Sequence, residues 1–168
     1  MPKEQNLILD RDEVARKIKR IAYEIYEHNF QEQELVIAGI FDKGYVLAQL
    51  LQKEVEKISP IRILLVKITL DKLAPLQTEI ELDHPIGVLE GKAIIITDDV
   101  LNTGRTLAYC LKPFLNMNVQ KLQTAVLVNR GHKLFPISAD YTGYELSTTI
   151  KEHIEVVWEG DRAGVYLY

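Results

Sequence analysis

Residues 94–106, IIITDDVLNTGRT, join a run of apolar residues to two adjacent carboxylates and then to a turn that is rich in hydroxyl groups. The run that covers residues 93–97 has no polar alternation, which is typical of a parallel strand covered on both faces. In open α/β sheets, ligands bind beyond the carboxyl ends of the strands. We therefore expect Asp98 and Asp99 to follow a strand and to stand at the rim of a ligand crevice.

The turn that follows the two acids has the features of a phosphate-binding loop. Gly104 allows a close approach of the backbone, Thr103 and Thr106 offer hydroxyls, and the amides at the start of the next helix favour an anion. The nucleotide-binding patterns GxxxxGK[ST] and GxGxxG do not occur in the sequence. A sugar phosphate suits the whole stretch, because its hydroxyls can donate to the carboxylates while its phosphate occupies the turn. The alternative, that the acids merely end a strand and cap a turn, does not account for this context.

The rest of the chain alternates between two kinds of apolar pattern. Helical spacing covers residues 10–30, 44–58 and 106–116, and Pro113 is expected to kink or shorten the last of these helices. Strand-like runs cover residues 35–40, 61–70, 93–97, 122–128, 154–158 and 164–167, whereas residues 71–90 show no period and are expected to form an irregular excursion. Strands that alternate with helices predict an α/β fold around a mainly parallel sheet.

Length and composition limit the class of protein. With 168 residues, of which 47% are hydrophobic and 26% charged, the chain is expected to form one domain, residues 1–168. No apolar stretch is long enough to span a bilayer, and we expect a cytoplasmic protein with no membrane partner. The single cysteine, Cys110, lies in an apolar helical pattern and is interpreted as a buried hydrophobe. The net charge of −4 argues against a protein that mainly binds nucleic acid.

The motif in residues 94–106 resembles the 5-phosphoribosyl-1-pyrophosphate motif of the type I phosphoribosyltransferases: an apolar strand, an acidic pair and Thr-Gly-Arg-Thr. Residues 126–144, VLVNRGHKLFPISADYTGY, together with 20–29 and 160–167, are similar to the pyrimidine operon attenuators that also act as uracil phosphoribosyltransferases. The resemblance implies a central, mostly parallel sheet flanked by helices, with a small hood. It also implies transfer of ribose 5-phosphate to a nucleobase, with Mg²⁺ as cofactor and release of pyrophosphate.

The same resemblance implies roles for particular residues. Asp98, Asp99 and Lys72 are the catalytic candidates, and the two acids would also help to hold Mg²⁺, largely through substrate hydroxyls. The donor phosphate would be bound by Asn102, Thr103, Gly104, Arg105 and Thr106, and pyrophosphate by Asp42, Lys43 and Gly44. Residues 69–83 correspond to a loop that closes over the site in the family. Uracil enzymes have Tyr-Arg where this chain has Asp71-Lys72, which leaves open a weakly catalytic, nucleotide-binding relative.

The resemblance also implies that the base is bound by Asn129, Arg130, Asp140 and Tyr141, with the alternative that Tyr141 is simply a half-buried aromatic residue. Enzymes that use 6-oxopurines usually have an acid at the position of Asn102 and a lysine at that of Asn129, so the sequence disfavours hypoxanthine or guanine. An asparagine side chain offers a donor and an acceptor, as uracil does, although pyrimidine enzymes usually have aspartate there. We therefore favour uracil. The mechanism requires no histidine at position 132, so no catalytic role is expected for His132.

The resemblance also raises the alternative of a regulator that binds RNA. Members of that family bind RNA through a basic face. Lys133 keeps one of its charges, but Ser138 and Tyr144 stand where that family often has Arg and Lys. RNA is therefore a disfavoured partner. The family also implies a homo-oligomer, a dimer or larger.

Overall fold

The computed structural model describes residues 5–74 and 79–168, which form nine strands and five helices. The strands are β1 (Asn6–Asp10), β2 (Glu34–Ile40), β3 (Arg62–Thr69), β4 (Glu81–Leu82), β5 (Ala93–Leu101), β6 (Lys121–Asn129), β7 (Tyr141–Glu145), β8 (Ile154–Val157) and β9 (Gly164–Leu167). The helices are α1 (Arg11–Asn29), α2 (Lys43–Ile58), α3 (Ile86–Leu89), α4 (Arg105–Cys110) and α5 (Lys112–Leu115).

Six strands form the central sheet in the order β4-β3-β2-β5-β6-β7. All neighbours pair in parallel except β4, which is antiparallel to β3. The predicted α/β fold with a mostly parallel sheet is therefore confirmed. Because β2, β3, β5 and β6 run in one direction, the segments that follow them meet at one edge of the sheet, which we call the carboxyl edge.

Helices α1 and α2 cover one face of the sheet. The side chain of Asp10 accepts a hydrogen bond of 2.8 Å from the backbone N–H of Glu13, which caps α1 at its first turn. The buried residues of α1 follow the expected three-and-four spacing, from Val14 and Ile18 to Ile25. They share one hydrophobic core with the buried side of α2, including Leu47 and Leu51.

The opposite face of the sheet packs against α4 and α5. The sequence predicted one helix over residues 106–116, kinked or shortened by Pro113. Two short helices replace it, with Leu111 between them and Pro113 in the first turn of α5, where a proline is tolerated. Cys110 is a buried free thiol, in agreement with its interpretation as a small hydrophobe.

A second, antiparallel sheet has three strands in the order β1-β9-β8, and we call it the hood. Asn6 pairs with Leu167, so this sheet joins the two ends of the described chain. The sequence patterns indicated β8 and β9 but not β1, β4 or β7. Apart from β4 and α3, residues 71–74 and 79–90 are irregular, as expected. Residues 75–78 of the proposed closing loop lie outside the described part of the chain. Within the described part, no helix has the length and apolarity needed to cross a membrane.

Candidate functional site

The acidic pair lies at the centre of the carboxyl edge, inside a strand. The sequence placed the strand at residues 93–97, with the acids after it, but β5 continues to Leu101 because Val100 and Leu101 go on pairing with β6. Asp98 is only 3% exposed, while Asp99 is half-buried. The N–H of Asp99 donates to Asp98 Oδ1 over 2.9 Å.

The environment of Asp98 opposes its ionisation. Burial, followed by the charge of Asp99, raises the pKa of Asp98 to about 8. Lys72 acts in the opposite direction, since its Nζ donates to Asp98 Oδ1 over 3.3 Å. Burial alone would lower the pKa of Lys72, but the charges of Asp98 and Asp99 outweigh it and the pKa is raised. The structure thus brings all three catalytic candidates together.

The expected phosphate loop follows β5 and encloses a small cavity of about 110 Å³. Its backbone is held by two hydrogen bonds to Thr103 O, from the N–H groups of Leu134 (2.8 Å) and Phe135 (3.1 Å). Gly104 has φ of 86°, and a Cβ there would lie 2.5 Å from Ile137 Cγ2, so the position requires glycine. The cavity is lined by the five predicted residues, Asn102, Thr103, Gly104, Arg105 and Thr106, and also by Asp98.

The loop expected to bind pyrophosphate, residues 42–44, follows β2 and packs closely against Asp98. A Cβ on Gly44 would lie 2.7 Å from Thr97 O and 2.9 Å from the Cα of Asp98. Thr97 Oγ1 donates to Gly44 O over 2.7 Å, which fixes the start of α2 against β5. Asp42 is the residue before α2, and its side chain makes no capping hydrogen bond.

The side chain of the lysine in this loop points to the hood. Lys43 was expected to bind pyrophosphate mainly through the backbone amides of the loop, with an ammonium that could also neutralise charge, but its Nζ donates to Val156 O over 2.6 Å. A different cation lies at the loop: Lys67 Nζ is 4.8 Å from the ring centroid of Tyr45 and 5.5 Å from that of Phe41. Lys67 was missed because only the pairing of Gly39 with Lys67 shows that the two segments are neighbours.

A wider cavity of about 480 Å³ opens beside the phosphate loop, between that loop and the segment after β6. We call it the base-side cavity because Arg130, one of the residues expected to bind the base, lines it together with Asn102 and His132. Leu134 and Ile150 also line it, at 81% and 92% exposure. No motif or spacing in the sequence predicts that these two aliphatic side chains line a cavity. His132 Nε2 is 2.7 Å from Thr148 O, a contact that holds the cavity wall.

Not all of the expected base-binding residues reach this cavity. Asn129 ends β6 beside it, where its Oδ1 accepts from the N–H of Gly131 (3.0 Å). Tyr141, however, pairs with Ala125 near the amino end of β7, is 1% exposed, and donates to Gln123 Oε1 over 2.8 Å. Asp140 Oδ2 accepts from the N–H of Thr124 over 2.9 Å. Since β7 runs parallel to β6, its first residues lie away from the carboxyl edge, and the structure does not bring Asp140 and Tyr141 to the site.

The acidic pair is also the part of the site that suits a divalent cation. Within residues 5–74 and 79–168, no group of three or more His, Cys, Asp or Glu residues could hold a metal by itself. Asp98 and Asp99 offer the carboxylate oxygens that Mg²⁺ prefers. A cation beside them would favour the ionised form of Asp98, which the protein alone disfavours. The pair therefore fits a cation that takes its remaining ligands from a substrate and water.

Known proteins match almost the entire chain. Residues 4–160 match the phosphoribosyl transferase domain family. A protein from Clostridium kluyveri named Bifunctional protein PyrR is 37% identical over 157 residues, which cover 89% of this chain and 88% of the relative. A protein of that name from Enterococcus faecalis is 35% identical over 167 residues, or 95% of this chain and 92% of the relative.

Solved structures share the fold at low sequence identity. A hypoxanthine-guanine phosphoribosyltransferase from Bacillus anthracis superposes with a TM-score of 0.73 and 17% identity, over 84% of this chain and 82% of the other. The hypoxanthine phosphoribosyltransferase of Trypanosoma cruzi gives a TM-score of 0.73 and 18% identity, over 84% and 81% of the two chains. At these identities, the similarity establishes the architecture alone.

Proposed function

The chain belongs to the phosphoribosyl transferase domain family, and on that premise we propose that it transfers ribose 5-phosphate from 5-phosphoribosyl-1-pyrophosphate to uracil. One observation carries the proposal. The buried acidic pair, the phosphate loop and the start of α2 converge at one edge of the sheet, with Asp98 lining the phosphate cavity and its Cα close to Gly44. A donor that carries a phosphate, vicinal hydroxyls and a diphosphate has a matching group for each of these three parts.

In the proposed complex, the loop from Asn102 to Thr106 receives the 5-phosphate through its amides and hydroxyls. Asp98 and Asp99 accept hydrogen bonds from the ribose hydroxyls. The amides at the start of α2 and the ammonium of Lys67 receive the pyrophosphate. Since Lys43 Nζ is bonded to Val156 O, its contribution to this subsite is through the backbone.

The reaction breaks the bond between the anomeric carbon and a pyrophosphate oxygen and forms a bond from that carbon to N1 of uracil, whose proton passes to the released pyrophosphate or to water. The carboxylates of Asp98 and Asp99 stabilise the positive charge that develops on the ribose ring, while Lys72 and Lys67 stabilise the leaving group. The acids would hold Mg²⁺ largely through the ribose hydroxyls, and the ion would supply further positive charge to the pyrophosphate. The protein thus acts mainly by positioning and electrostatics.

Two side chains support a pyrimidine over a 6-oxopurine. Asn102 and Asn129 stand where such purine enzymes usually carry an acid and a lysine, and both residues lie at the base-side cavity or beside it. We assign the base to this cavity, with Leu134 and Ile150 against its faces. Asp140 and Tyr141 are left out of the proposed site because of their positions at the other end of β7. We expect a homo-oligomer, as the family resemblance implies.

The test is to incubate the protein with 5-phosphoribosyl-1-pyrophosphate, Mg²⁺ and a panel of bases, and to follow pyrophosphate release. Release with uracil, and none with hypoxanthine or guanine, is the expected result. Turnover with hypoxanthine and not uracil would overturn the base assignment. No turnover with any base, but retained binding of the donor, would favour the nucleotide-binding relative. Salt-dependent binding to a structured RNA would favour the regulator, which the net charge of −4 argues against.

A further inference from the structure

Arg130 is a buried cation at the junction of the phosphate loop and the base-side cavity. It is 9% exposed. Its Nη1 donates to Asn102 Oδ1 over 3.0 Å, which is a contact with the first residue of the phosphate loop. The sequence assigned Arg130 to direct recognition of the base, but its other donors face a different part of the protein.

Those donors hold the segment between β7 and β8. We call residues 147–152 the strap. Arg130 Nε donates to Thr148 Oγ1 over 2.6 Å, and Nη2 donates to Thr149 O over 2.9 Å and to Glu152 O. Nη2 also donates a longer bond of 3.5 Å to Ile150 O, so Arg130 bonds to the strap at four residues and to the phosphate loop at one.

The strap carries a wall of the base-side cavity. Ile150 lies between the two anchored residues Thr149 and Glu152 and is 92% exposed at the cavity. The strap has a further internal bond, since the N–H of Thr149 donates to the carboxylate of Glu152. The position of Ile150 is thus set by bonds that converge on one guanidinium group.

All the hydrogen-bond partners that the structure describes for the charged Arg130 side chain are neutral groups. Within the described part of the chain, no carboxylate forms an ion pair with Arg130, and its partners are two side-chain oxygens and backbone carbonyls. A buried cation without a counter-ion stabilises an anion that binds nearby, because the attraction between the two charges is only weakly screened inside a protein. The phosphate loop is where such an anion would bind.

We propose that Arg130 is a positioning residue that couples the two half-sites: a phosphate in the loop orders Asn102, and through Arg130 it orders the strap and the wall that Ile150 gives to the base-side cavity. The inference rests on the proposed function for the identity of the two ligands. Its consequence is that the donor improves binding of the base, and by linkage the base improves binding of the donor by the same factor. A lysine cannot replace Arg130, because the planar guanidinium group donates to Asn102 and to the strap at the same time, whereas an ammonium group is a single point of charge.

Hydrogen exchange of the backbone amides tests the coupling without a base and without turnover. Ribose 5-phosphate is added to the complete protein, and exchange is followed in residues 103–107 and in the strap. In the wild-type protein we expect slower exchange in both segments, by at least about 5-fold in the strap, the lower end of typical coupling factors. In Asn102→Ala, exchange should still slow in residues 103–107, which carry the other amides and hydroxyls of the loop, but not in the strap.

Three further variants separate coupling from general destabilisation. Asn102→Asp keeps an acceptor for Arg130 and should restore the protection of the strap. Thr148→Val removes one of the bonds from Arg130 to the strap and should weaken that protection while the loop still responds. Asn116→Ala, an exposed asparagine at the end of α5, is the matched control and should behave as wild type.

The outcomes distinguish this inference from the proposed function. The coupling would be overturned if the strap keeps its wild-type protection in both Asn102→Ala and Thr148→Val. It would also be overturned if the strap is not protected in the wild-type protein although the loop is. Either result would leave the donor site intact. Failure of ribose 5-phosphate to protect residues 103–107 in the wild-type protein would instead overturn the phosphate site itself.

Discussion

Lys72 Nζ lies 3.3 Å from Asp98 Oδ1, so the segment after β3 places its ammonium on the buried member of the acidic pair. Asp98 has 4% of its side chain exposed and Lys72 has 39%, so the pair joins a buried acid to a cation that reaches solvent. The ammonium offsets part of the repulsion between Asp98 and Asp99. It also stands where ribose hydroxyls and a cation would arrive in the proposed complex.

Replacing Lys72 with Met should lower turnover by about 100-fold, the usual cost of removing one group that stabilises developing charge. The pKa of Asp98 should also rise, because the charge of Lys72 lowers it. Steady-state kcat and KM with the preferred base give the measurement. Lys72→Arg keeps the charge and should retain most of the activity, whereas an unchanged kcat in Lys72→Met would remove Lys72 from the catalytic set.

Changing Asp98 and Asp99 together to Asn should weaken Mg²⁺-dependent binding of the donor by at least about 100-fold. Each lost hydrogen bond to a charged group costs about 1.5–3 kcal/mol, and about 1.4 kcal/mol corresponds to a factor of ten. Calorimetry with and without Mg²⁺ measures the effect, and circular dichroism checks the fold. Asp12→Asn, an exposed acid in the first turn of α1, is the control. Equal affinity in the double variant and wild type would mean that the motif has been misread.

The stability of the ligand-free protein should fall as the pH rises from about 4 to about 8. The folded state holds the pKa of Asp98 at about 8 against an ordinary value of 3.8, so in this window it binds a proton that the unfolded chain has lost. Above pH 8 this contribution levels off, and Asp98→Asn should remove it. Urea unfolding without Mg²⁺ at pH 5, 6.5 and 8 is the measurement. A decline of the same size in both proteins would show that Asp98 is not its source.

Lys43→Met should destabilise the protein while leaving pyrophosphate binding almost unchanged. The bond from Lys43 Nζ to Val156 O joins the start of α2 to the hood, and we expect its loss to cost about 1–2 kcal/mol. Urea unfolding gives the free energy, and calorimetry with pyrophosphate and Mg²⁺ gives the affinity. Lys67→Met removes the cation that faces Phe41 and Tyr45. This change should weaken pyrophosphate binding and leave the free energy of unfolding almost unchanged. A tenfold loss of pyrophosphate affinity in Lys43→Met would instead show that the ammonium of Lys43 neutralises the charge of pyrophosphate.

Gly44→Ala should reduce donor binding, since a Cβ there would press on Thr97 O and the Cα of Asp98 at 2.7 and 2.9 Å. Either the start of α2 or the acidic strand has to move. Gly87→Ala in α3 is a matched control, because a Cβ at Gly87 meets nothing within 4 Å. Both affinities are measured with the same Mg²⁺-dependent titration. Equal binding by the two variants would show that the two loops are less tightly packed than the structure indicates.

The sequence predicts the architecture correctly where apolar residues recur with the periodicity of a helix or form a continuous buried run. The stripe of α1, the buried runs of β2 and β5 and the effect of Pro113 all depend on neighbours a few residues apart, and each was located to within a few residues. Strands β1 and β7 were missed because each has only five residues, and the burial of Leu9 in β1 and of Tyr141 and Gly143 in β7 depends on partners far along the chain. Their short sequences carry no independent signal.

The candidate site divides in the same way. Residues 98–106 form a continuous stretch, so their assembly follows from one strand and one turn. Lys43, Lys67 and Tyr141 depend on register and on side-chain direction, which sequence spacing does not fix. The direction of Lys43 is decided by a carbonyl in β8, and the position of Tyr141 by the pairing of β7 with β6.

The pairing of Asn6 with Leu167 has a consequence for synthesis on the ribosome. The strands that carry the phosphate loop and the acidic pair have all emerged once β6 is complete. The hood needs β9, and contacts between residues this far apart in sequence form late and slowly because the intervening chain must first be ordered. A nascent chain should therefore acquire the site for the sugar phosphate before the strap beside the base is anchored.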